Sequence, residues 1–341
     1  MMVRLCSRRV YYRVRNFQLK LLQFFICFMC GFFILQLKGL QYSLYFEKRR
    51  SFWNNTDKIL SDIQETGRSN IMPLNSFLLD KVFRKDPMEV FEAFESIQLL
   101  FVVKSHILNF GKREAIRQTW GHVKNLRIKT VFVVGQSHNM DNFLDWESKR
   151  YKDVIQLNIE DKYENLVYKT VYAFLSLSKL NIRTEYVHCV DDDRLVNAIN
   201  VYDIAKQNIA QSDTVMLGFM VNLSRPDRSM TSKNYISLED YPFLYFPSYI
   251  IGGTILTNMK TIHMLSIGIR HVRLIQIEDV YIGMVATAFQ IEMRHHTGFF
   301  PYKKPIEMFS GILSSPGYDL AYALLRDWEL IHQYENIEAR R

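Results

Sequence analysis

The chain has 341 residues, of which 48% are hydrophobic and 23% are charged, and its formal net charge is +8. This composition is typical of a folded protein and excludes a disordered one. A basic balance raises nucleic acid, an anionic membrane and phosphate-bearing ligands as partners. Six basic residues and no acid lie within the first twenty positions, so much of the excess belongs to a tail. The rest of the chain has mixed charge, which argues against nucleic-acid binding.

An apolar segment, LLQFFICFMCGFFILQL, follows this tail at residues 21–37. Its length is near the lower limit for a helix that crosses a bilayer. A buried core helix is rarely apolar on every face, and a secretory signal would need a small-residue cleavage site. We therefore predict a single-pass transmembrane signal anchor of type II, with the basic tail in the cytosol. The short span suits a thinner bilayer, such as that of the early secretory pathway, better than the plasma membrane.

The predicted organisation has four parts: residues 1–20 as the cytosolic tail, 21–37 as the anchor, 38–96 as a polar stem, and 97–341 as the lumenal domain. Of the four cysteines, only Cys189 lies in the domain, within an apolar run, which predicts a buried thiol and no internal disulfide. Glycosylation triplets begin at Asn54 and Asn222 and are compatible with a lumenal domain.

Short apolar runs alternate with helical patterns in the domain. The strand-like runs are Ile97–Lys104, Lys129–Gly135, Asp153–Leu157 and Glu185–Val190. The helical patterns between them are Gly111–Thr119, Asn142–Arg150 and Asn165–Leu180. This alternation predicts an α/β domain with a largely parallel central sheet. In such sheets, ligands bind at the carboxyl ends of the strands.

Three adjacent carboxylates, Asp191, Asp192 and Asp193, follow the fourth predicted strand. They repel one another unless a cation offsets their charge. Hard oxygen ligands suit Mn²⁺ or Mg²⁺, which bridge to phosphate oxygens and stabilise a diphosphate leaving group. The alternative is a solvated turn or the N-cap of a helix that begins near Asn197.

Other charged residues are candidates on weaker grounds. Glu278 and Asp279 begin a helical pattern, where a carboxylate near a metal-bound diphosphate could be a general base, or simply a capping acid. Arg117 could contact phosphate through its planar guanidinium, or it could lie on a solvated helix face. For Lys112 the solvated helix face is the better interpretation.

Six motifs, taken in order, resemble those of the β1,3-galactosyltransferase family, which includes β1,3-N-acetylglucosaminyltransferases. They are REAIRQTWG at 113–121, VFVVG at 131–135, DKYENLVYKT at 161–170, DDDRLVN at 191–197, FPSY with Gly252-Gly253 at 246–253, and EDVYIG at 278–283. The resemblance implies a GT-A type fold, a type II Golgi membrane protein, a UDP-sugar donor and inversion at the anomeric carbon.

The resemblance also implies roles for individual residues. Asp193 would be the main ligand of the Mn²⁺ or Mg²⁺ ion, with Asp191 beside it. Asp279, next to Glu278 in the catalytic pair, would remove the proton from the acceptor 3-hydroxyl as UDP departs. The residues expected to contact the donor are Arg113, Arg117, Asp191 and Asp192.

The chain departs from the family at three points. Cys189 stands where the family has a lysine, and Thr254-Ile255 replaces a glycine-tyrosine pair. No histidine occurs in 309–316, where the family has a metal ligand, and the possible substitutes are His295, His296 and His332.

Two functions therefore stay open. One is an active transferase that moves a hexose or N-acetylhexosamine, with galactose as the favoured sugar, to a glycoprotein or glycolipid. The other is a catalytically silent relative that binds glycans or assists a partner transferase. A metal-dependent phosphohydrolase is less favoured, because ligands for a second ion are missing.

Overall fold

A computed structural model describes residue 29 and the ranges 55–76, 82–84, 87–91, 96–180 and 182–338. The predicted tail and nearly all of the predicted anchor lie outside these residues. Among the described helices, none is both long and apolar enough to cross a membrane. Contacts divide the chain into two units, Met1–Phe52 and Trp53–Arg341, and the description below concerns the second.

Eleven strands and nine helices are described. The strands are β1 (Ile97–Lys104), β2 (Ile128–Gln136), β3 (Val154–Glu160), β4 (Thr184–Asp191), β5 (Leu195–Val196), β6 (Val215–Gly218), β7 (Met220–Val221), β8 (Tyr249–Ile250), β9 (Thr254–Thr257), β10 (Glu292–His295) and β11 (Ser314–Ser315). The helices are α1 (Thr56–Thr66), α2 (Met88–Phe91), α3 (Phe110–Gln118), α4 (Asp141–Tyr151), α5 (Leu166–Leu180), α6 (Ala198–Asn208), α7 (Met259–His271), α8 (Glu278–Ala288) and α9 (Ala321–Glu338).

A seven-stranded sheet in the order β10-β6-β9-β4-β1-β2-β3 forms the centre of this unit. Strands β4, β1, β2 and β3 are parallel to their neighbours in this part of the sheet, and β10 is parallel to β6. Strand β9 is antiparallel to both β4 and β6. The predicted α/β domain with a largely parallel sheet is therefore confirmed.

The central strands are buried because helices cover both faces of the sheet. Alternate residues of β1, such as Phe101, belong to a core cluster that includes Trp120 and Leu324. On the other face, α5 contacts β1 and β2 and packs against α7 and α8. Cys189 is a free, fully buried thiol, as predicted.

Polar and small residues define the ends of several elements. The side chain of Asn197 accepts a hydrogen bond from the backbone N–H of Asn200 and caps α6, which begins where the sequence predicted a helix. After α3 the chain turns at Gly121, where a Cβ atom would overlap the backbone oxygen of Ile116. The turn buries Trp120, which donates from Nε1 to the backbone oxygen of Arg194 at 2.9 Å.

Part of the segment predicted as a stem packs against the domain. Asn75 is 4% exposed, and its Nδ2 donates to the backbone oxygens of Ile269 and Val272, each at 2.7 Å. Arg84 forms an ion pair with Asp141 at 2.6 Å. These contacts join the chain before β1 to helices of the folded unit.

Candidate functional site

Three neighbouring cavities open at the carboxyl end of the parallel strands. The acidic cavity, of about 530 Å³, is lined by Asp191, Asp193, Glu278 and Asp279 and by a loop within 224–249. The lysine cavity, of about 300 Å³, is lined by Lys104, Lys112, Lys162 and Lys169 together with the three aspartates. The outer cavity, of about 530 Å³, lies at the ends of β2 and β3 and includes His106 and Asp161. The first two cavities share Asp191 and Asp193, and the last two share His106 and Asp161.

Asp191 and Asp193 both line the acidic cavity, as the position after a strand predicted. Burial and the charge of Asp191 raise the pKa of Asp193. Burial would also raise the pKa of Asp191, but the ammonium of Lys104, 3.0 Å from its Oδ1, outweighs this and lowers the pKa. No hydrogen bond to the Asp193 carboxylate is found within the described residues, so its oxygens are available to a cation.

Asp192, predicted to contact the donor, is 7% exposed and points into the protein. Its Oδ2 accepts hydrogen bonds from the Ser105 hydroxyl at 2.7 Å and the Asn109 amide at 2.8 Å. Its Oδ1 lies 3.2 Å from Lys112 Nζ. Asp192 therefore anchors the turn after β4 to the turn after β1, and its carboxylate is occupied.

Lys104 connects Asp191 to α8, the helix that begins with Glu278 and Asp279. It ends β1 beside Asp191 in the register of β4, and its side chain is 1% exposed. Its Nζ donates to both carboxylate oxygens of Glu278, at 2.7 and 2.9 Å, and to the backbone oxygen of Gly252 at 2.7 Å. Burial would lower the pKa of Lys104, but the nearby carboxylates outweigh it and raise the pKa. The lysine is therefore charged.

Glu278 and Asp279 begin α8 but have different surroundings. Glu278 is 6% exposed and accepts hydrogen bonds from Lys104 and from the Thr170 hydroxyl. Burial raises the pKa of Glu278 to about 7 against the opposing charge of Lys104. Asp279 is half-buried and lines the acidic cavity, where burial raises its pKa. Because the donors to its carboxylate are backbone N–H groups, those of Val280 and Gly252, and no side chain of the described residues, Asp279 is the better placed acid to accept a proton from a ligand.

The Gly252-Gly253 pair is explained by close approach of side chains. A Cβ atom at Gly252 would overlap the carboxylate of Glu278. A Cβ atom at Gly253 would overlap the guanidinium of Arg194. Both glycines line the acidic cavity, so the pair lets α8 and the turn after Asp193 pack closely.

The two predicted nucleotide-binding arginines lie behind the site and not in it. Arg113 is fully buried, and all five of its N–H groups are engaged. The acceptors are both carboxylate oxygens of Glu147, the Ser105 hydroxyl, and the backbone oxygens of His106 and Ile107. Arg113 therefore has no donor left for a nucleotide and instead fixes the turn that holds Asp192.

The expectation that Arg117 contacts the donor is also not met by its position. Its guanidinium lies 2.8 Å from Asp153 and 2.7 Å from Glu147, and it stacks over the rings of Phe132 and Tyr151. It lines none of the three cavities. Both arginines belong to a buried ion-pair network between α3, α4 and the start of β3.

A divalent metal fits the acidic cavity only in part. Within the residues that the structure describes, no group of three or more histidine, cysteine or acidic side chains could hold a metal ion. Two carboxylates, Asp191 and Asp193, do face the cavity. Mg²⁺ is commonly bound by one or two carboxylates together with substrate phosphates, so this donor set fits an ion whose coordination the diphosphate completes.

None of the histidines considered as substitutes lines these cavities. His295 Nδ1 accepts from the backbone N–H of Met220, and His296 Nδ1 accepts from that of Gly298. His332 packs against Trp328 on α9. The late segment instead brings Asp319 to the lysine cavity, because the N–H of its neighbour Tyr318 donates to the backbone oxygen of Asp193 at 2.9 Å.

Sequence reasoning missed Lys104, Thr170 and the loop residues of the acidic cavity. A signal for Lys104 existed, since a lysine that ends an apolar strand is unusual, and the parallel strand beside it ends in an aspartate. The loop residues Ser224, Arg225, Lys233 and Asn234 lie in a segment without periodicity, and nothing in the pattern predicted that it would cover a cavity.

Comparison with known proteins gives concordant matches. Residues 111–297 match the protein family described as Galactosyltransferase. Beta-1,3-galactosyltransferase brn of Drosophila melanogaster is 30% identical over 239 residues, which is 68% of this chain and 73% of the relative. Beta-1,3-galactosyltransferase bre-5 of Caenorhabditis elegans is 28% identical over 253 residues, 70% of this chain and 78% of the relative. N-acetyllactosaminide beta-1,3-N-acetylglucosaminyltransferase 4 of Mus musculus is 25% identical over 228 residues, 63% of this chain and 65% of the relative.

Proposed function

The chain belongs to the galactosyltransferase family, and on that premise we propose that it is an inverting β1,3-glycosyltransferase of the GT-A type. It moves a hexose or N-acetylhexosamine from a UDP-sugar to the 3-hydroxyl of a glycan on a glycoprotein or glycolipid. Galactose is the favoured sugar. The observation that carries this proposal is that one cavity is lined both by Asp191 and Asp193 and by the half-buried Asp279. Such a cavity can hold a metal-bound diphosphate and an acceptor hydroxyl side by side.

The proposed mechanism assigns proton removal to Asp279. The acceptor oxygen attacks the anomeric carbon, its proton passes to Asp279, and the bond between that carbon and the UDP oxygen breaks. Burial raises the pKa of Asp279, which makes the ionised carboxylate a stronger base. Lys104 and Thr170 hold Glu278, which fixes the first turn of α8 and therefore the position of Asp279.

Asp191 and Asp193 would hold Mn²⁺ or Mg²⁺. When bound there, the ion supplies positive charge that stabilises the departing diphosphate. The shared lining residues make the three cavities a continuous trough across the ends of β4, β1 and β2, which suits an elongated nucleotide sugar. We assign the transferred sugar to the acidic cavity and the nucleoside to the lysine and outer cavities.

The proposed setting is a Golgi membrane, with residues 21–37 as the single type II span and the catalytic domain in the lumen. This part of the proposal rests on the apolar segment and the basic tail before it.

The test is a calorimetric titration of UDP into the purified full chain, with Mn²⁺ and then with a chelator. UDP binding should require the metal, and Asp193→Ala should weaken it by about tenfold or more, which is about 1.4 kcal/mol. Asp279→Asn should keep UDP affinity within about twofold and reduce transfer by about 10²–10⁴-fold, since a base and not a ligand is removed.

The variants also separate the two functions left open by the sequence. A chain that binds no UDP in either condition would be a silent relative, an alternative motivated by the missing histidine in 309–316 and by Thr254-Ile255 after the glycine pair. Transfer at the native rate by Asp279→Asn would refute the base assignment alone.

A further inference from the structure

The basic residues that line the three cavities differ in whether a carboxylate neutralises them. Four lysines line the lysine cavity, and each lies within 3.2 Å of a carboxylate oxygen. Arg225 and Lys233 line the acidic cavity, and neither forms an ion pair with any carboxylate in the described part of the chain. The acidic cavity thus contains two cations that form no ion pair with any of the described acids that line it.

Arg225 and Lys233 have aromatic neighbours instead. Arg225 Nη2 donates to the Tyr245 hydroxyl at 3.0 Å, and its guanidinium lies 5.3 Å from the centre of that ring. Lys233 Nζ lies 5.6 Å from the centre of the Tyr163 ring. An exposed cation–π contact contributes only about 0.5–1 kcal/mol and leaves the charge in place. Both cations therefore remain able to bind an anion.

The loop that carries these cations is held in position by Arg228. Its guanidinium donates to the backbone oxygens of four loop residues at 2.6 to 3.2 Å, and these residues are Ile236, Ser237, Tyr241 and Phe243. The rings of Tyr241 and Phe246 pack at 4.8 Å beneath the loop. Because the backbone is already ordered, less free energy is spent on ordering when a ligand binds.

The cations lie on the acceptor side of the acidic cavity. An acceptor hydroxyl must come within hydrogen-bond reach of Asp279. Tyr163 links the loop to that region, because its hydroxyl donates to Asn234 at 3.2 Å and its pKa is raised by burial and by the charge of Asp279. Arg225 and Lys233 line neither the lysine cavity nor the outer cavity, where the nucleoside is assigned.

We propose that Arg225 and Lys233 form a subsite for an anionic group on the acceptor glycan, a carboxylate or a sulfate near the hydroxyl that is glycosylated. This inference rests on the proposed function, since Asp279 defines where the acceptor lies. The metal-bound diphosphate is assigned to Asp191 and Asp193, so a neutral acceptor would place no anion of its own beside the two cations. A guanidinium matches the two oxygens of a carboxylate or sulfate, and an ammonium adds a second charge.

The test measures ligand binding and does not need turnover. Four probes are titrated into the full chain with Mn²⁺ and UDP: a glucuronic acid-terminated disaccharide, its glucose-terminated counterpart, a 6-sulfated galactoside and the unsulfated galactoside. The charged member of at least one pair should bind about tenfold more tightly than the neutral member, and salt should reduce the difference. The two pairs distinguish a carboxylate from a sulfate.

Variants identify the residues responsible. In the double variant Arg225→Met and Lys233→Met, the charged and neutral probes should bind alike, and UDP affinity should be unchanged. Lys206→Met is the control, because Lys206 is exposed on α6, is paired with Asp203 and lines none of the cavities. It should keep the tenfold preference.

Two results would overturn the inference. One is equal affinity for the charged and the neutral probe in both pairs, or no binding of any probe. The other is a loss of UDP affinity in the double variant, which would assign the cations to the donor diphosphate. If the anionic preference is present but no sugar is transferred to any of the four probes or from any UDP-sugar, the proposed function fails and the subsite stands.

Discussion

Replacing Lys104 by methionine removes the cation between Asp191 and Glu278 and keeps a side chain of similar length. The lysine Nζ lies 2.7 Å from Glu278, 3.0 Å from Asp191 and 2.7 Å from the backbone oxygen of Gly252, with the side chain 1% exposed. The Lys104→Met variant therefore leaves the nearly buried Glu278 carboxylate without its cation, with only the Thr170 hydroxyl as a donor, and removes the side-chain donor of the Gly252 oxygen.

The magnitude follows from the cost of breaking a buried ion pair. Removal of one partner costs about 3–5 kcal/mol, because the other charge stays buried. Glu278 can escape part of this cost by taking up a proton, since burial already raises its pKa to about 7. We therefore expect a loss of about 3 kcal/mol at neutral pH, the lower end of that range. For a domain of this size, that loss lowers Tm by roughly 6–12 °C.

The deficit should increase with pH. In the native chain the pKa of Glu278 is raised from 4.5, so its protonated form contributes stability that is present below pH 4.5 and is lost as pH rises through about 7. Without Lys104 the pKa rises further, since the charge that lowered it is gone, and the loss of stability extends to higher pH. The difference between the variant and the native chain is then smaller near pH 5, where Glu278 is protonated in both and only the pair with Asp191 is lost, and largest above pH 7.

The assay is urea unfolding at pH 5, 7 and 8.5 with a chelator present. Lys129→Met is the matched control, because Lys129 is buried on the neighbouring β2 and donates to the backbone oxygen of Lys152, away from Glu278. Adding Glu278→Gln to Lys104→Met should recover part of the lost stability at high pH. A deficit that does not change with pH, or the absence of any deficit, would refute the proposed charge arrangement.

Two further changes test the buried arginine and the lumenal setting. Arg113→Met should lower the free energy of unfolding by about 3 kcal/mol, the lower end of the range for a broken buried ion pair, because Glu147 loses Arg113 but keeps Arg117. If this variant instead has native stability in thermal unfolding but a lower affinity for UDP, Arg113 contacts the nucleotide. Asn222 is exposed in the sequon of the loop, so the full chain made in secretory cells should carry an N-glycan there. Asn222→Gln should remove one endoglycosidase-sensitive mass shift, and a native chain without that glycan would contradict a lumenal domain.

The first half of the domain could be predicted from the sequence because each element there is long and has a clear period. Strand β1 has the bounds expected from its apolar run, and β2, β3 and β4 differ by a few residues at their ends. The second half could not be predicted in this way. Strands β6 and β9 have four residues each, and β9 pairs with β4 and β6 through contacts distant in sequence. Four apolar residues have no period that distinguishes a strand from a helix.

The site could be predicted where position along an element determines function, and not where it depends on a distant partner. Asp191 and Asp193 follow from the end of a parallel strand, where ligands bind. Arg113 and Arg117 lie four residues apart on one face of α3, which the sequence shows, but their partners Glu147 and Asp153 lie more than 30 residues further along the chain. The pattern could not tell whether this face meets a nucleotide or a second set of carboxylates.

Glu278 and Asp279 show how a structure separates two acids that the sequence presents as equivalents. Successive residues on a helix point about 100° apart, so the two acids have different neighbours although both line the acidic cavity. Glu278 faces the protein, where an ammonium and a hydroxyl already donate to it. Asp279 faces the cavity, and its donors, Val280 and Gly252, are backbone N–H groups. A proton from an acceptor would displace the donors of Glu278, whereas Asp279 can take it without breaking an ion pair. These surroundings favour Asp279 over Glu278 as the proposed base, and the contacts of Glu278 fix the start of the helix.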